Sequence, residues 1–457
     1  MPNAEDLQEA LKPLDDDEID AILAPLRHHN RLLLAVSGGA DSLALMILCA
    51  EWQTRCDNAP EILVASVDHG LRPDAASECA YVARLAEERG LRHTTLVWNE
   101  TPTEASLQTQ AREARYRLLA EHARQTDCSA IGLAHHLDDQ AETLIMRLIR
   151  GSGVTGLGAM RAEQPHKDLS LLRPLLAVPK SRLMASLRAR DLNWIEDPSN
   201  QSKNYLRVRV RGLLPELAKE GCDAHRLAAT AHRMQRADDT LSTLAEELFQ
   251  KLMRKEPGRA LSFDPLSYAG CLEELRLRLC RMMLVEVAGA GYPPREERLV
   301  SLDAALCSLS GGAYSKRTVG GCCFEWARGR VWVYREPGRE AKKALLASNG
   351  STDWQGLYDI MLLQQPAASL SEEIEPARSE VFHIQPLGAE GRLMLRQAGL
   401  SFPHERWGEE EKPVALIEAL PSLWSDGQPC FVVDWPELVE MTGIGVDVKE
   451  KNTKFMA

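Results

Sequence analysis

The chain has 457 residues, 44% hydrophobic and 26% charged, with a formal net charge of −12. That length supports about two to four domains and at least one large core, and the composition is that of an ordinary soluble globular protein. An acidic total argues against general nucleic-acid affinity while allowing a local basic face, and no apolar run is long enough to span a bilayer. The N-terminus, MPNAEDLQEALKPLDDDEID, lacks the basic start and apolar middle of a signal peptide. The 11 cysteines are scattered, with no C-x-x-C. This suits a reducing compartment and disfavours a zinc ribbon or an iron–sulfur cluster. The expected location is the cytoplasm, and no membrane partner is expected.

In chain order, RLLLAV, EILVASV, RHTTLVW and SAIGLA read as buried strands, with amphipathic helical runs between and after them. The β-α-β-α order predicts an α/β fold, a doubly wound parallel sheet, as the N-terminal domain over residues 1–218. Ligands of such sheets lie at the carboxyl ends of the strands. Residues 219–336 predict a mainly helical middle domain, with two or three antiparallel strands in GAYSKRTVGGCCFEWARGRVWVYRE. Residues 337–379 are expected as a linker. Residues 380–457 are expected as a small α+β C-terminal domain with a helix at GRLMLRQAG. No internal repeat is present.

The first strand runs into Ser37, Gly38, Gly39, Ala40, Asp41 and Ser42, and a helix follows. Glycines let consecutive N–H groups face one way, and a helix start adds unpaired amides and partial positive charge. The result is an anion cradle sized for phosphate or pyrophosphate. Asp41 repels phosphate unless Mg2+ lies between them. The plain alternative is a glycine turn with Asp41 or Ser42 capping the helix. The chain has no G-x-x-x-x-G-K-[ST], so transfer of a terminal phosphoryl group is not the natural reading.

A second constellation, HHLDDQAETLIMRLIRGSG, starts where SAIGLA ends. Asp138, Asp139 and Glu142 crowd one helix start, a repulsion that a cation relieves. A capping box of Asp139 with Glu142 explains two acids but not His135, His136 and the third. The pattern predicts a site for Mg2+, a substrate ammonium, or both. His69 and Arg72, in VDHGLRPD, end a third strand on the same edge and are placed to flank a nucleotide. Residues 173–233 are locally basic: Arg173, Lys180, Arg182, Arg188, Arg190, Lys203, Arg207, Arg209 and Arg211. The last three alternate, which suits a strand edge or a loop following a nucleic-acid backbone.

The loop, with its strand and helix, resembles the pyrophosphate-binding loop of the N-type ATP pyrophosphatases. Together with VDHGLR, AREARYRLL, HHLDDQAETLIMRLIRGSGVTGLGAM, LLRPLL and WIEDPSNQSKNYLRVRVRGLLPEL, it looks like the tRNA(Ile)-lysidine synthases of that superfamily across residues 31–217. The segment IQPLGAEGRLMLRQAGLSFPHERWGEEEKPVALIEALPSLW is similar to the C-terminal domain of the long bacterial form. The resemblance implies a ligase that uses ATP and Mg2+ to adenylate the C2 oxygen of the wobble cytidine in the CAU anticodon of tRNA(Ile). L-lysine then attacks C2 and AMP leaves.

It also implies roles. Residues 37–42 would hold ATP with His69 and Arg72, and Asp41 and Asp139 would hold Mg2+. Asp138, Asp139 and Glu142 would hold lysine, and His135 would join Asp41, Asp139 and Glu142 in catalysis. Arg112, Arg115, Arg147, Arg150, Arg207, Arg209 and Arg211 would face tRNA phosphates, and Arg392 and Arg396 the acceptor stem. Val208 stands where the family often has Asn. The alternatives are a tRNA thiolase or another adenylating ligase of this fold, a non-catalytic tRNA-binding protein, and a metabolic ligase without RNA. A homodimer is among the assemblies the sequence allows.

Overall fold

The computed structural model describes residues 11–70, 74–99, 107–196, 206–289, 294–309, 316–336, 344–347, 351–354, 358–363, 381–400, 413–425, 428–433 and 445–450. They form two compact units that divide after Asp239.

The first unit is built on a six-stranded sheet: β1 (Arg31–Ala35), β2 (Glu61–Asp68), β3 (Arg92–Val97), β4 (Ala130–Gly132), β5 (Glu163–His166) and β6 (Leu169–Leu172). The spatial order is β3-β2-β1-β4-β6-β5, parallel except for β5 at the edge. The central position of β1 explains its leucines. Leu32, Leu33 and Leu34 are all fully buried, as a parallel strand covered on both faces requires. Successive side chains point to opposite faces. Leu32 and Leu34 therefore pack with Leu43, Met46, Ile47 and Trp52 of helix Ala40–Arg55. Leu33 packs with Leu119, Ala120 and Ala123 of helix Leu107–Gln125. The four expected strands are present, but β3, expected to be buried, lies at the sheet edge and is largely exposed. The β5–β6 hairpin is an addition.

Helix Leu206–Lys219 packs on helix Leu137–Ile149, with Ala141 and Leu144 against Leu214, Leu227 and Ala231. The expected boundary at 218 falls short of the observed division. Helix Ala224–Leu252 starts in the first unit, where Gln235 donates to the carbonyls of Gly158 and Met160 at 2.6 and 2.9 Å.

In the second unit, helices Glu273–Ala288 and Glu296–Ser308 cover a five-stranded sheet. It includes the three expected strands, Lys316–Val319, Cys322–Ala327 and Arg330–Arg335. Cys323, Trp332 and Tyr334 share one hydrophobic cluster with Leu387, Leu395, Leu416 and Trp424. The segments expected as separate middle and C-terminal domains thus share a core. Residues 337–379 are not simply a linker. They carry strands Ala344–Ala347, Ser351–Trp354 and Tyr358–Leu363, which pair with Val381–Pro386 and Gly445–Glu450 among others. Their weak patterning hid strands of four to six residues. Among the described residues, no helix is long and apolar enough to cross a membrane.

Candidate active site

The loop after β1 is held from three sides. The Val36 N–H donates to the Ala65 carbonyl at 2.9 Å, and the Ser66 hydroxyl donates to the Val36 carbonyl at 2.7 Å. Gly38 has φ +85°, and a Cβ there would lie 2.8 Å from Ile195 Cδ1. Both the backbone conformation and the close approach therefore call for glycine. The Ile195 N–H closes the contact on the Gly38 carbonyl at 3.0 Å. Ser42, expected to bind the anion, is spent inside the loop. Its hydroxyl donates to the Gly39 carbonyl at 3.1 Å and accepts the Ser37 N–H at 3.1 Å. Helix Ala40–Arg55 begins at Gly39 without a side-chain cap, so neither Asp41 nor Ser42 is a cap and the amides at the helix start remain available.

The carboxyl ends of β1, β2 and β4 bring the loop, His69 and the His135–His136 pair to one edge. His69 is half-buried there, and Arg72 lies outside the described residues. His136 joins the two constellations. Its Nε2 lies 3.5 Å from Asp41 Oδ2 and 3.4 Å from Asp139 Oδ2, and its Nδ1 lies 3.5 Å from Asp138 Oδ2. Burial alone would discharge this imidazole. The surrounding carboxylates of Asp138, Asp41 and Asp139 reverse that and hold it up at about 9, so it is a cation at neutral pH. Burial likewise disfavours the Asp41 carboxylate, but His136 and Lys180 keep it below its ordinary value. His135 goes the other way. Burial, reinforced by Arg173, Arg207 and Arg112 and opposed by Asp139, pushes it down to about 4. It is neutral, with Nδ1 buried and without a hydrogen-bond partner.

Helix Leu137–Ile149 opens on a different cap from the one expected. His136 takes the cap position, and its N–H donates to Asp139 Oδ2 at 3.2 Å. Glu142, 1% exposed, points inward. Arg207 Nε reaches its Oε2 at 2.6 Å, and Arg211 Nε its Oε1 at 2.7 Å. Arg207 also reaches Asp139 Oδ1 at 2.9 Å. The expectation of a strand edge or loop at Arg207, Arg209 and Arg211 is therefore corrected. They lie on helix Leu206–Lys219, where residues four apart share a face, and Arg207 and Arg211 turn together toward Glu142. Arg209 is exposed.

Most of the basic run from 173 is spent on internal partners. Arg182 pairs with Glu18 at 2.8 Å, Arg190 with Glu51 at 2.7 Å, and Lys180 with Asp41 at 2.9 Å. Arg173 is buried against the Arg161 carbonyl and Gln164. Lys203 lies outside the described residues. Arg112, Arg115, Arg147 and Arg150 are exposed, with Arg112 over the Tyr116 ring at 5.2 Å. In the second unit, Arg392 and Arg396 share helix Gly388–Gln397. Arg392 pairs with Glu418 at 3.0 Å, and Arg396 is exposed. The site contact that sequence reasoning missed is Lys180 to Asp41. Lys180 reads as one more basic residue, and its partner is 139 residues away.

A divalent cation needs hard oxygens, and Asp41 and Asp139 supply them on either side of His136 Nε2. Asp41 Oδ1 is buried and has no hydrogen-bond partner, an oxygen left over for a ligand. Among the described residues, no group of three or more His, Cys, Asp or Glu side chains forms a complete metal cage. Protein and phosphate oxygens together suit Mg2+ better than protein ligands alone.

Comparison with known proteins gives the family. A PP-loop domain family matches residues 11–217. The tRNA(Ile)-lysidine synthase of Bradyrhizobium diazoefficiens is 39% identical over 349 residues, covering 72% of this chain and 96% of that one. The enzyme of the same name from Ruegeria pomeroyi is 38% identical over 397 residues, 86% of each chain. That from Rhodopseudomonas palustris is 42% identical over 276 residues, 60% of this chain and 80% of the relative.

Proposed function

Because the chain belongs to the tRNA(Ile)-lysidine synthase family, we propose that the groups around His136 are where it joins L-lysine to the wobble cytidine of tRNA(Ile), using ATP. The observation that carries this reading is the position of His136 Nε2 within 3.5 Å of both Asp41 and Asp139. It supports reading the phosphate loop and the acidic helix as one site.

The reaction has two displacements. In the first, the cytidine C2 oxygen attacks the α-phosphorus, and the bond to the bridging oxygen breaks. Pyrophosphate leaves with the electron pair. In the second, a lysine amine attacks C2, the C2–O bond breaks, and AMP leaves with that oxygen. The amides of residues 38–42 hold the phosphates at the helix start. Asp41 and Asp139 would hold Mg2+, which when bound neutralises charge growing on the leaving phosphates.

A lysine amine is protonated at neutral pH and must lose a proton before it attacks. Asp139 and Glu142 receive the lysine ammonium groups, as they now receive Arg207 and Arg211. The cations nearby lower the amine's proton affinity, which readies it to shed that proton before it attacks. His135, neutral and with a free ring nitrogen, offers the incoming groups an acceptor rather than a charge. Arg112, Arg115, Arg147, Arg150 and Arg209 face solvent and would meet tRNA phosphates, which fix register. Arg207 and Arg211 hold Glu142 in this state. The cytoplasm, where these substrates occur together, is the fitting location.

The test is steady-state kinetics of Asp41→Asn and Glu142→Gln with unmodified tRNA(Ile). Asp41→Asn should lose turnover at any lysine concentration. Glu142→Gln should raise the lysine requirement far more than the ATP requirement. Equal effects of Glu142→Gln on both substrates would place Glu142 on the nucleotide instead, and wild-type turnover of Asp41→Asn would remove the loop from catalysis.

A further inference from the structure

The phosphate loop, residues 37–42, contains no lysine. Walker loops carry one, aimed at the terminal phosphates. Here a lysine arrives from elsewhere in the chain. Lys180 Nζ lies 2.9 Å from Asp41 Oδ2.

Two constraints place it there. Lys180 opens helix Lys180–Arg188 behind Pro179, and its backbone N–H donates to Asp138 Oδ2 at 2.9 Å. Through its main chain it is tied to the acidic helix, and through its ammonium to the loop. Its side chain is 41% exposed, so it stands in the open part of the site rather than sealed in the core. Asp41 also has the His136 ring beside it, with Nε2 3.5 Å from the same oxygen, so Lys180 is not its sole polar neighbour. Were a divalent cation held at Asp41, an ammonium within about 3 Å of the same oxygen would be repelled, and the nucleotide phosphates would be the anions within its reach.

We propose that Lys180 is a catalytic residue of the adenylation step, the fixed cation that the loop itself lacks, exchanging Asp41 for the phosphates of ATP. The proposal rests on the function given above. The C2 oxygen attacks the α-phosphorus, the bond to the bridging oxygen breaks, and that oxygen departs with the electron pair as pyrophosphate. Lys180 stays protonated throughout and donates a hydrogen bond to the phosphate oxygens that gain charge. The competing role is a passive counter-charge to Asp41, and the two roles predict opposite results. A passive counter-charge blocks the metal, so removing it should lower the Mg2+ requirement and preserve turnover. A catalytic cation, once removed, takes transition-state stabilisation with it.

The experiment compares wild type, Lys180→Gln and Lys180→Arg in single turnover with unmodified tRNA(Ile), ATP, lysine and a Mg2+ series. Pyrophosphate release and lysidine formation are read separately, and urea unfolding checks that each variant is folded. The expected result is a loss of about 100-fold in pyrophosphate release for Lys180→Gln, the scale of removing one aimed donor, at every Mg2+ concentration. Lys180→Arg should recover part of it. Wild-type pyrophosphate release by Lys180→Gln, or release at less Mg2+, overturns the proposal. If Lys180→Gln does not fold, Lys180→Arg decides alone. It retains charge but changes shape, so release slower than wild type supports direct contact, and unchanged release overturns it. Pyrophosphate release without lysidine in the wild type would overturn the function above while the comparison of the Lys180 variants stands.

Discussion

Arg211 and Glu142, 69 residues apart in the chain, meet at 2.7 Å between Nε and Oε1. The contact is lopsided. Glu142 is 1% exposed, and the Arg211 side chain is 47% exposed. Removing the arginines strands a buried carboxylate, whereas removing the carboxylate leaves guanidinium groups that can turn to water. The double variant Arg207→Ala/Arg211→Ala should therefore lose about 3–5 kcal/mol of stability. Glu142→Gln should lose only about 1 kcal/mol. Urea unfolding of the metal-free protein measures both, and equal losses would contradict the asymmetry.

A second prediction concerns pH. In the metal-free protein His136 is held up at about 9 because its carboxylate neighbours outweigh its burial. In the unfolded chain it titrates near 6.5. The sign follows: the stabilisation is complete below pH ~6.5 and is lost as pH rises through ~9. Its size is on the order of 3 kcal/mol. His135, pushed down to about 4 by its burial, acts on the other side and destabilises as pH falls below ~6.5. Urea midpoints in a chelator between pH 6 and 10 should fall in wild type and flatten in His136→Gln. A parallel fall in both would show that His136 is not the group responsible.

A third concerns the second unit. Arg396 is exposed, and Arg392 already holds Glu418. If the helix Gly388–Gln397 meets tRNA phosphate, Arg396→Ala should reduce the slope of log affinity against log salt by about 1. Arg392→Ala should change it less. An unchanged slope for Arg396→Ala would remove this helix from tRNA contact. Point variants are the right tool here. Truncation near residue 335 would expose Cys323, Trp332 and Tyr334, which share their core with Leu387, Leu395 and Trp424.

What was legible in the sequence is what local spacing encodes. Leu32, Leu33 and Leu34 announced a strand buried on both faces, and Gly38 marked a turn only glycine tolerates. Asp139 and Glu142 crowded one helix start, and in the fold they face the guanidinium group of Arg207. What was hidden depends on partners distant in the chain. Nothing near Lys180 points to Asp41, nor near Arg182 to Glu18. Arg207, Arg209 and Arg211 alternate among valines, a pattern that mimics a strand. The informative spacing was the four residues from 207 to 211, which places both guanidinium groups on one helix face toward Glu142. The β5–β6 hairpin leaves little trace in the sequence because its strands are four residues each.

The central claim is that this site attaches lysine to a tRNA cytidine. The most direct measurement is the mass of unmodified tRNA(Ile) with a CAU anticodon after incubation with the protein, ATP, Mg2+ and L-lysine. The account predicts a gain of one lysine less one water, confined to the anticodon fragment, dependent on ATP and lysine together, and absent with Asp41→Asn. An unchanged tRNA mass under all conditions, or a gain that does not require lysine, would contradict it.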